Sequence, residues 1–333
     1  KTLQVLAFLS VIRHEAEHPS LLVVPASLIG NWRDEIGRFL PDLRVLTVHG
    51  SALGKQAREG VPDCDVRKHD LLVTTYGMVH RSDWLQDREW TYAILDEAQA
   101  IKNHATRQSR AVKKLRTRNR LILTGTPVEN RLSDLWSLFD FLNPGLLGSS
   151  KEFKDVARTL HERPNGYARL RRVITPYILR RLKTDRAIIS DLPEKIEMKT
   201  YADLTRRQIV LYRDLVNTLE ETLESSEGIE RKGLVLASLM KFKQICNHPD
   251  QYVGEGTFDA SESGKFARLR EICDTVLSKH ERVLVFTQFR EMIDPLDAFL
   301  NQFFGHSGVT LHGGVNVKQR RERVERFQTA RDY

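Results

Sequence analysis

The sequence predicts an α/β protein: a parallel sheet with helices on both faces, then helical insertions, then the start of a second, incomplete sheet of the same kind. Three observations predict it. Short apolar runs separated by amphipathic stretches fill the first 145 residues; strand-like runs stop from about residue 146; and strand-helix alternation resumes near residue 283. Strands buried on both faces lose the in-out alternation, so near-continuous apolar runs with helices between them mark a parallel sheet. At 333 residues the chain exceeds what one core usually holds, which favours two domains.

In order, apolar runs end at Val24 before Pro25, at Val48, at Thr75 after Leu71-Leu72-Val73, at Leu95 after Tyr92-Ala93-Ile94, and at Leu123 after Leu121-Ile122. Between the first two, Trp32, Ile36 and Phe39/Leu40 recur on one helical face. Residues 146–192 are helical or irregular and rich in Arg, including Arg169, Arg171, Arg172, Arg180, Arg181 and Arg186. Residues 202–245 form long helices with Asp203-Leu204-Thr205 at their start, and the Gly-containing segment 254–264 is a loop. Strands are then expected at Val283-Leu284-Val285-Phe286 and Val309-Thr310-Leu311, with a helix through Leu300 and a basic helix from Val317.

Composition excludes several classes. No apolar run approaches the roughly 18–20 residues that cross a bilayer. The opening Lys1-Thr2-Leu3-Gln4 is no signal peptide and lacks a Met, so the chain is expected to be part of a longer one. Three separated cysteines, Cys64, Cys246 and Cys273, argue against a disulfide framework. Cys246 with His248 would need two more ligands to hold zinc; a His closing a helix at Pro249 beside a buried Cys is the plainer reading. The 52 Lys and Arg against 44 acids leave +8, which favours a polyanionic partner without specifying one.

Ligands of such sheets lie at the carboxyl ends of the strands, and three polar motifs fall there. Tyr92-Ala93-Ile94-Leu95 delivers Asp96 and Glu97. One carboxylate can hold Mg²⁺ while the next orients or deprotonates water; equally, an acidic pair complements a helix N-terminus. Leu123-Thr124-Gly125-Thr126-Pro127 allows close backbone approach to a phosphate, or is an ordinary turn. Lys1-Thr2 at a helix start has the form of a phosphate loop's end, where Lys reaches the phosphates and Thr the metal. Trp32 has the pattern of a core residue, and the Arg clusters 169–172 and 320–326 of solvated faces.

Together these stretches resemble the motifs of superfamily-two helicases, and specifically Swi/Snf-type ATPases in a bacterial form with a DEAQ box. The resemblance rests on residues 21–32, Val73-Thr74-Thr75-Tyr76, Asp96-Glu97-Ala98-Gln99-Ala100-Ile101-Lys102-Asn103 and residues 123–130. It continues through Leu179-Arg180-Arg181-Leu182-Lys183-Thr184-Asp185 with Leu192-Pro193, Gln244-Ile245-Cys246-Asn247-His248-Pro249 and Ser263-Gly264-Lys265. It ends with residues 283–289 and Leu311-His312-Gly313-Gly314 followed by Arg320, so it spans nearly the whole chain in order.

The resemblance implies two RecA-like lobes, the second incomplete: residues 1–145 as the ATP-binding lobe, 146–195 as helical protrusion and linker, and 196–333 as helical insertion and start of the second lobe. It implies that Lys1, Thr2 and Gln4 bind ATP, that Thr2 and Asp96 hold Mg²⁺, and that Glu97 activates water. Gln99, Thr124, Gly125 and Thr126 would couple nucleotide state to the nucleic-acid face. Pro25, Ser27, Thr74, Thr75, Tyr76, Thr287, Gln288, Gly313 and Gly314 would contact the duplex backbone, which positions without reading sequence. Motif segments the family carries before Lys1 and after Tyr333, including arginines that reach the γ-phosphate, are expected outside this stretch, so the 333-residue piece alone should hydrolyse ATP poorly.

The implied function is an ATP-driven translocase on double-stranded DNA that displaces or remodels bound protein, such as RNA polymerase or nucleoid protein, in the bacterial cytoplasm (in the nucleus for a eukaryotic chain). A strand-separating helicase would need a wedge or single-strand stacking surface, and none is evident in the sequence. A scaffold without catalysis would have no need of Lys1, Thr2, Asp96 and Glu97.

Overall fold

The computed structural model describes residues 1–125, 132–160, 165–181, 191–193, 195–224 and 228–329. The chain divides into two compact units, residues 1–190 and 191–333. The first holds five strands: β1 (Ser20–Val24), β2 (Val45–Val48), β3 (Leu71–Thr75), β4 (Glu89–Leu95) and β5 (Arg116–Ile122). They pair in the order β2-β3-β1-β4-β5, every pair parallel. The chain works leftward from β1 to β2 and β3, then crosses to β4 and β5, so the order reverses beside β1.

Both faces of this sheet are covered, which is why its strands carry no polar alternation. Leu21, Val23, Leu72, Ala93 and Leu95 pack with Tyr76, Val79, Val112, Leu138 and Phe141 on one face. Leu22, Val24, Leu71, Val73 and Ile94 pack on the other with Val5, Leu6 and Leu9 of α1 (Thr2–Ile12) and with Trp32 and Ile36 of α2 (Ile29–Phe39). The outermost strand differs from expectation at its start. β5 begins at Arg116, and Arg116-Thr117-Arg118-Asn119-Arg120 is polar because an edge strand needs no second apolar flank.

The second unit is helical. Thr205 and Gln208 form a reciprocal cap at the start of the helix Arg206–Glu224: Gln208 N–H donates to Thr205 Oγ1 at 3.3 Å and Thr205 N–H to Gln208 Oε1 at 3.0 Å. The Gln208 amide also donates to the Ile245 carbonyl at 2.7 Å, joining this helix to Gly228–Asn247. His248 then caps Pro249–Val253, its Nδ1 accepting from Asp250 N–H at 3.1 Å and its Nε2–H donating to the Asp259 carbonyl at 2.9 Å. Cys246 beside it is half-buried rather than buried. The Asp250 carboxylate lies under the loop, accepting from Phe258 N–H at 2.9 Å and pairing with Arg207 at 2.9 Å. Helices Gly264–Ser278, Ile293–Phe304 and Val317–Thr329 complete the unit. Arg320 turns inward to the His312 carbonyl at 3.1 Å, so it is no solvated arginine.

The strands expected at 283–286 and 309–311 are not formed. Among the described residues no segment exchanges ladder hydrogen bonds with either run, and Leu284 is 66% and Phe286 89% exposed. An apolar run carries the strand signal whether or not a partner takes up its N–H and C=O groups. No helix among the described residues is long and apolar enough to cross a membrane.

Three stability outcomes follow. Leu22→Ala, in the fully buried centre of β1, is expected to cost about 2–5 kcal/mol in urea unfolding. Gly37→Ala, with open space around a helical backbone, is expected to gain about 0.5–1 kcal/mol. Gly256→Ala should lower stability in the same assay, because φ is +130° there and a Cβ would meet the Asp250 carboxyl carbon at 2.2 Å.

Candidate active site

Asp96 follows the last residue of β4 and keeps the parity of Ile94, so its side chain lies on the face covered by α1 and α2. Four hydrogen bonds fix it. Its N–H donates to Val23 O of β1 at 2.9 Å, and its carbonyl accepts from Tyr76 Oη–H at 2.7 Å. Its carboxylate accepts from Trp32 Nε1–H at 2.8 Å through Oδ2 and from Glu97 N–H at 2.9 Å through Oδ1. The residue is only 7% exposed, and among the described residues it makes no ion pair. Burial, with the charges of Asp96 and Glu97 nearby, pushes the Tyr76 phenol far above its usual range, so it remains a donor.

Glu97 leaves the strand direction altogether. Its backbone is left-handed, φ 48° and ψ 54°, and starts the tight turn Ala98–Ile101. The two carboxylates are therefore separated by a turn, where simple strand alternation was expected. Leu123 N–H donates to Leu95 O at 2.7 Å and Ala98 N–H to Leu123 O at 3.2 Å, which ties the end of β5 to the acidic turn. Gly125 is two residues beyond, and Lys1 Nζ lies 3.7 Å from the point a Gly125 Cβ would occupy. Lys1 caps α1 with its carbonyl on Val5 N–H at 3.1 Å, and Thr2 is the first helical residue. The strand tips thus gather a cation, a helix N-terminus and a buried carboxylate, the set that suits an anionic ligand with a bound cation.

The other expected site residues fall as follows. Gln4 is exposed on α1, and Gln99 is exposed on the turn after Glu97. Thr124 is half-buried beside Gly125, whereas Thr126 lies outside the described residues, as do 127–130 and 182–185. Pro25 is half-buried and Ser27 exposed on the turn Ala26–Leu28 that leads into α2. Thr74, Thr75 and Tyr76 do not offer their side chains outward. Thr74 Oγ1–H donates to Val48 O at 2.8 Å, Thr75 Oγ1 caps the helix Tyr76–Arg81 by accepting from Met78 N–H at 3.3 Å, and Tyr76 is 4% exposed. Short hydroxyls at strand ends satisfy the fold's own backbone as readily as a phosphate. In the second unit Thr287, Gln288, Gly313 and Gly314 are exposed, Gln288 Oε1 accepting from Lys243 Nζ at 3.3 Å.

Two features escaped sequence reasoning. Trp32 is core-like in pattern and 2% exposed, yet its indole N–H is spent on Asp96. A one-helix pattern cannot reveal a bond made 64 residues away. His49, Lys55, Arg58 and Arg81 line a recess beyond β2, where burial and then the Arg81 charge push the His49 imidazole down. These basic residues are scattered singly in sequence, so no run announces them.

This geometry accords with comparisons to known proteins. The model of the SNF2-related domain matches residues 1–251, and that of the helicase conserved C-terminal domain matches residues 264–332. The chain is 35% identical to the putative ATP-dependent helicase/translocase YwqA of Bacillus subtilis, over 98% of this chain and 36% of that protein. It is 30% identical to the ATP-dependent DNA helicase DDM1 of Arabidopsis thaliana, over 98% of this chain and 46% of that protein. It thus spans between about a third and a half of these curated relatives. The SWI2/SNF2 ATPase core of Sulfolobus solfataricus, solved in complex with dsDNA, is 38% identical with a TM-score of 0.55, covering 100% of this chain and 69% of that one. A family match over three-quarters of the chain, on a sheet whose strand tips gather Lys1, Asp96 and Gly125, means that the chain belongs to the SNF2-related family.

Proposed function

We propose that this chain is the ATP-hydrolysing core of a translocase that moves along double-stranded DNA and displaces or remodels protein bound there. The observation that carries it is the meeting of Lys1 Nζ with Gly125 at the tip of β5, one strand from the Asp96 carboxylate. In this reading residues 1–145 form the ATP-binding lobe, 146–195 a helical protrusion and linker, and 196–333 the helical insertion and start of the second lobe. Lys1 and the N–H groups at the start of α1 hold the triphosphate, with Gln4 on the same helix close to the nucleotide.

Asp96 fits a divalent cation. It is a buried carboxylate whose oxygens meet only neutral N–H donors, and a buried charge is ordinarily paired or bound to a metal. Mg²⁺ is typically held by one or two carboxylates together with substrate phosphates, a requirement that a single buried Asp can meet. Thr2 and Asp96 would hold it, and when bound it neutralises phosphate charge. Glu97, turned out of the strand, orients the attacking water and takes its proton. Gln99, Thr124, Gly125 and Thr126 pass the nucleotide state on.

The duplex backbone is contacted at Pro25 and Ser27 and through the backbone at 74–76, with Thr287, Gln288, Gly313 and Gly314 from the second unit. In the recess beyond β2, Lys55, Arg58 and Arg81 add positive charge to the lobe. Such contacts grip any sequence. The protein displaced is RNA polymerase or a nucleoid protein, and the setting is the bacterial nucleoid.

In the intact protein, Glu97→Gln is expected to lower DNA-stimulated ATP turnover by at least about 100-fold while a fluorescent ATP analogue still binds; unchanged turnover would end the hydrolase reading. Duplex affinity should fall steeply with salt, log K against log [salt] being linear, and should vary little with sequence. A forked duplex should stay paired while a bound protein is displaced. Efficient unwinding would favour a strand-separating helicase instead.

A further inference from the structure

The geometry points to Trp32 as a positioning residue that orients the metal-binding carboxylate of Asp96 through its indole N–H. The inference rests on the proposed function of Asp96 and adds a residue to it. Three observations carry it. The indole donates to Oδ2 at 2.8 Å, with donor and acceptor both buried. The other oxygen, Oδ1, accepts from Glu97 N–H at 2.9 Å, so each carboxylate oxygen has its own donor. Trp32 itself is held in the apolar cluster of α1, α2 and the sheet, among Val24, Ile36 and Ile94, which leaves the ring little freedom to follow a wandering carboxylate.

Chemistry favours an indole here. A carboxylate that must bind a cation cannot also be paired with Lys or Arg, since the fixed positive charge would compete with the metal. A neutral donor satisfies one lone pair of Oδ2, leaves another free and adds no charge. Trp can donate but never accept, so the bond cannot invert. Outer partners that orient a ligating group typically matter about 10–100-fold in metal affinity or activity. Trp32 also begins one turn into α2, the helix that follows the exposed turn at Ser27, so the metal ligand is tied to the proposed nucleic-acid face by one hydrogen bond.

Trp32→Phe tests this in the intact protein, because it keeps an aromatic ring in the apolar cluster and removes the donor, while the smaller ring leaves a void that the Trp90→Phe control shares. The readout is Mn²⁺-dependent binding of a non-hydrolysable ATP analogue, independent of turnover. Half-saturating Mn²⁺ is expected to rise about 10-fold. Trp90→Phe is the control: it loses a comparably buried indole bond, to Leu85 O at 2.9 Å, and should destabilise the fold without moving the metal dependence. In an Asp96→Asn background, Trp32→Phe should add nothing further. Equal shifts from Trp32→Phe and Trp90→Phe, or no shift from Trp32→Phe while Asp96→Asn shifts it, would overturn the role of Trp32 alone. No shift from Asp96→Asn would remove the metal reading of Asp96 as well, and this inference with it. Should Trp32→Phe not fold, the wild-type protein decides: the indole N–H resonance of Trp32 should broaden on adding the Mn²⁺ nucleotide, and an unbroadened Trp32 signal would refute the proposal.

Discussion

A buried carboxylate, Asp96, with no cationic partner among the described residues, lies at the end of β4, and elements from across the first unit converge on it. Desolvating Asp96 alone would be costly, so every polar atom it has is met: by Val23 O, Tyr76 Oη–H, Trp32 Nε1–H and Glu97 N–H. These partners come from β1, from the helix after β3, from α2 and from the turn itself. Parallel order is what makes the convergence possible. With β1 between β3 and β4, the elements that leave all three strands start at one edge, so their first residues meet.

How much of this was legible depended on which residues carry the constraint. β1 and β3 announce themselves because both faces are buried, and Leu21-Leu22-Val23-Val24 has no other use. The acidic pair and the terminal Lys-Thr could be picked out by residue type. What could not be seen was hydrogen-bond allegiance. Thr74, Thr75 and Tyr76 are the right chemistry for phosphate contact, yet all three hydroxyls serve the protein, two on the backbone of neighbouring segments and one as a helix cap. Trp32 was masked by its own amphipathic setting. The first five residues of β5 were hidden by their polarity, which an edge tolerates.

The second unit teaches the same lesson from the other side. Val283-Leu284-Val285-Phe286 has the composition of a buried strand and none of its pairing, since composition encodes propensity and the ladder requires a neighbour. By contrast, the Cys246-Asn247-His248-Pro249 stretch is explained by local bonds. With Nδ1 accepting from Asp250 N–H, the imidazole must be the Nε2–H tautomer, and that proton closes the loop at Asp259. Both ring nitrogens are thereby committed, and the histidine serves as a clasp between a helix end and a loop. Gly256 allows that loop to pass over Asp250, where any Cβ would collide with the carboxyl group.

Glu97 supplies the last step. A left-handed backbone at a residue with a Cβ costs on the order of 1 kcal/mol or more, and nothing in the packing of an ordinary strand end requires it. The cost is offset locally, because the same twist aims Glu97 N–H at Asp96 Oδ1 and brings Ala98 N–H onto Leu123 O. The turn therefore does two jobs at once: it locks one carboxylate in place and swings its neighbour out of the strand's plane. Two adjacent acids on a continuing strand would point to opposite faces of the sheet, one of them into the packed core. The left-handed residue takes Glu97 out of that alternation, just beyond the tip of β4.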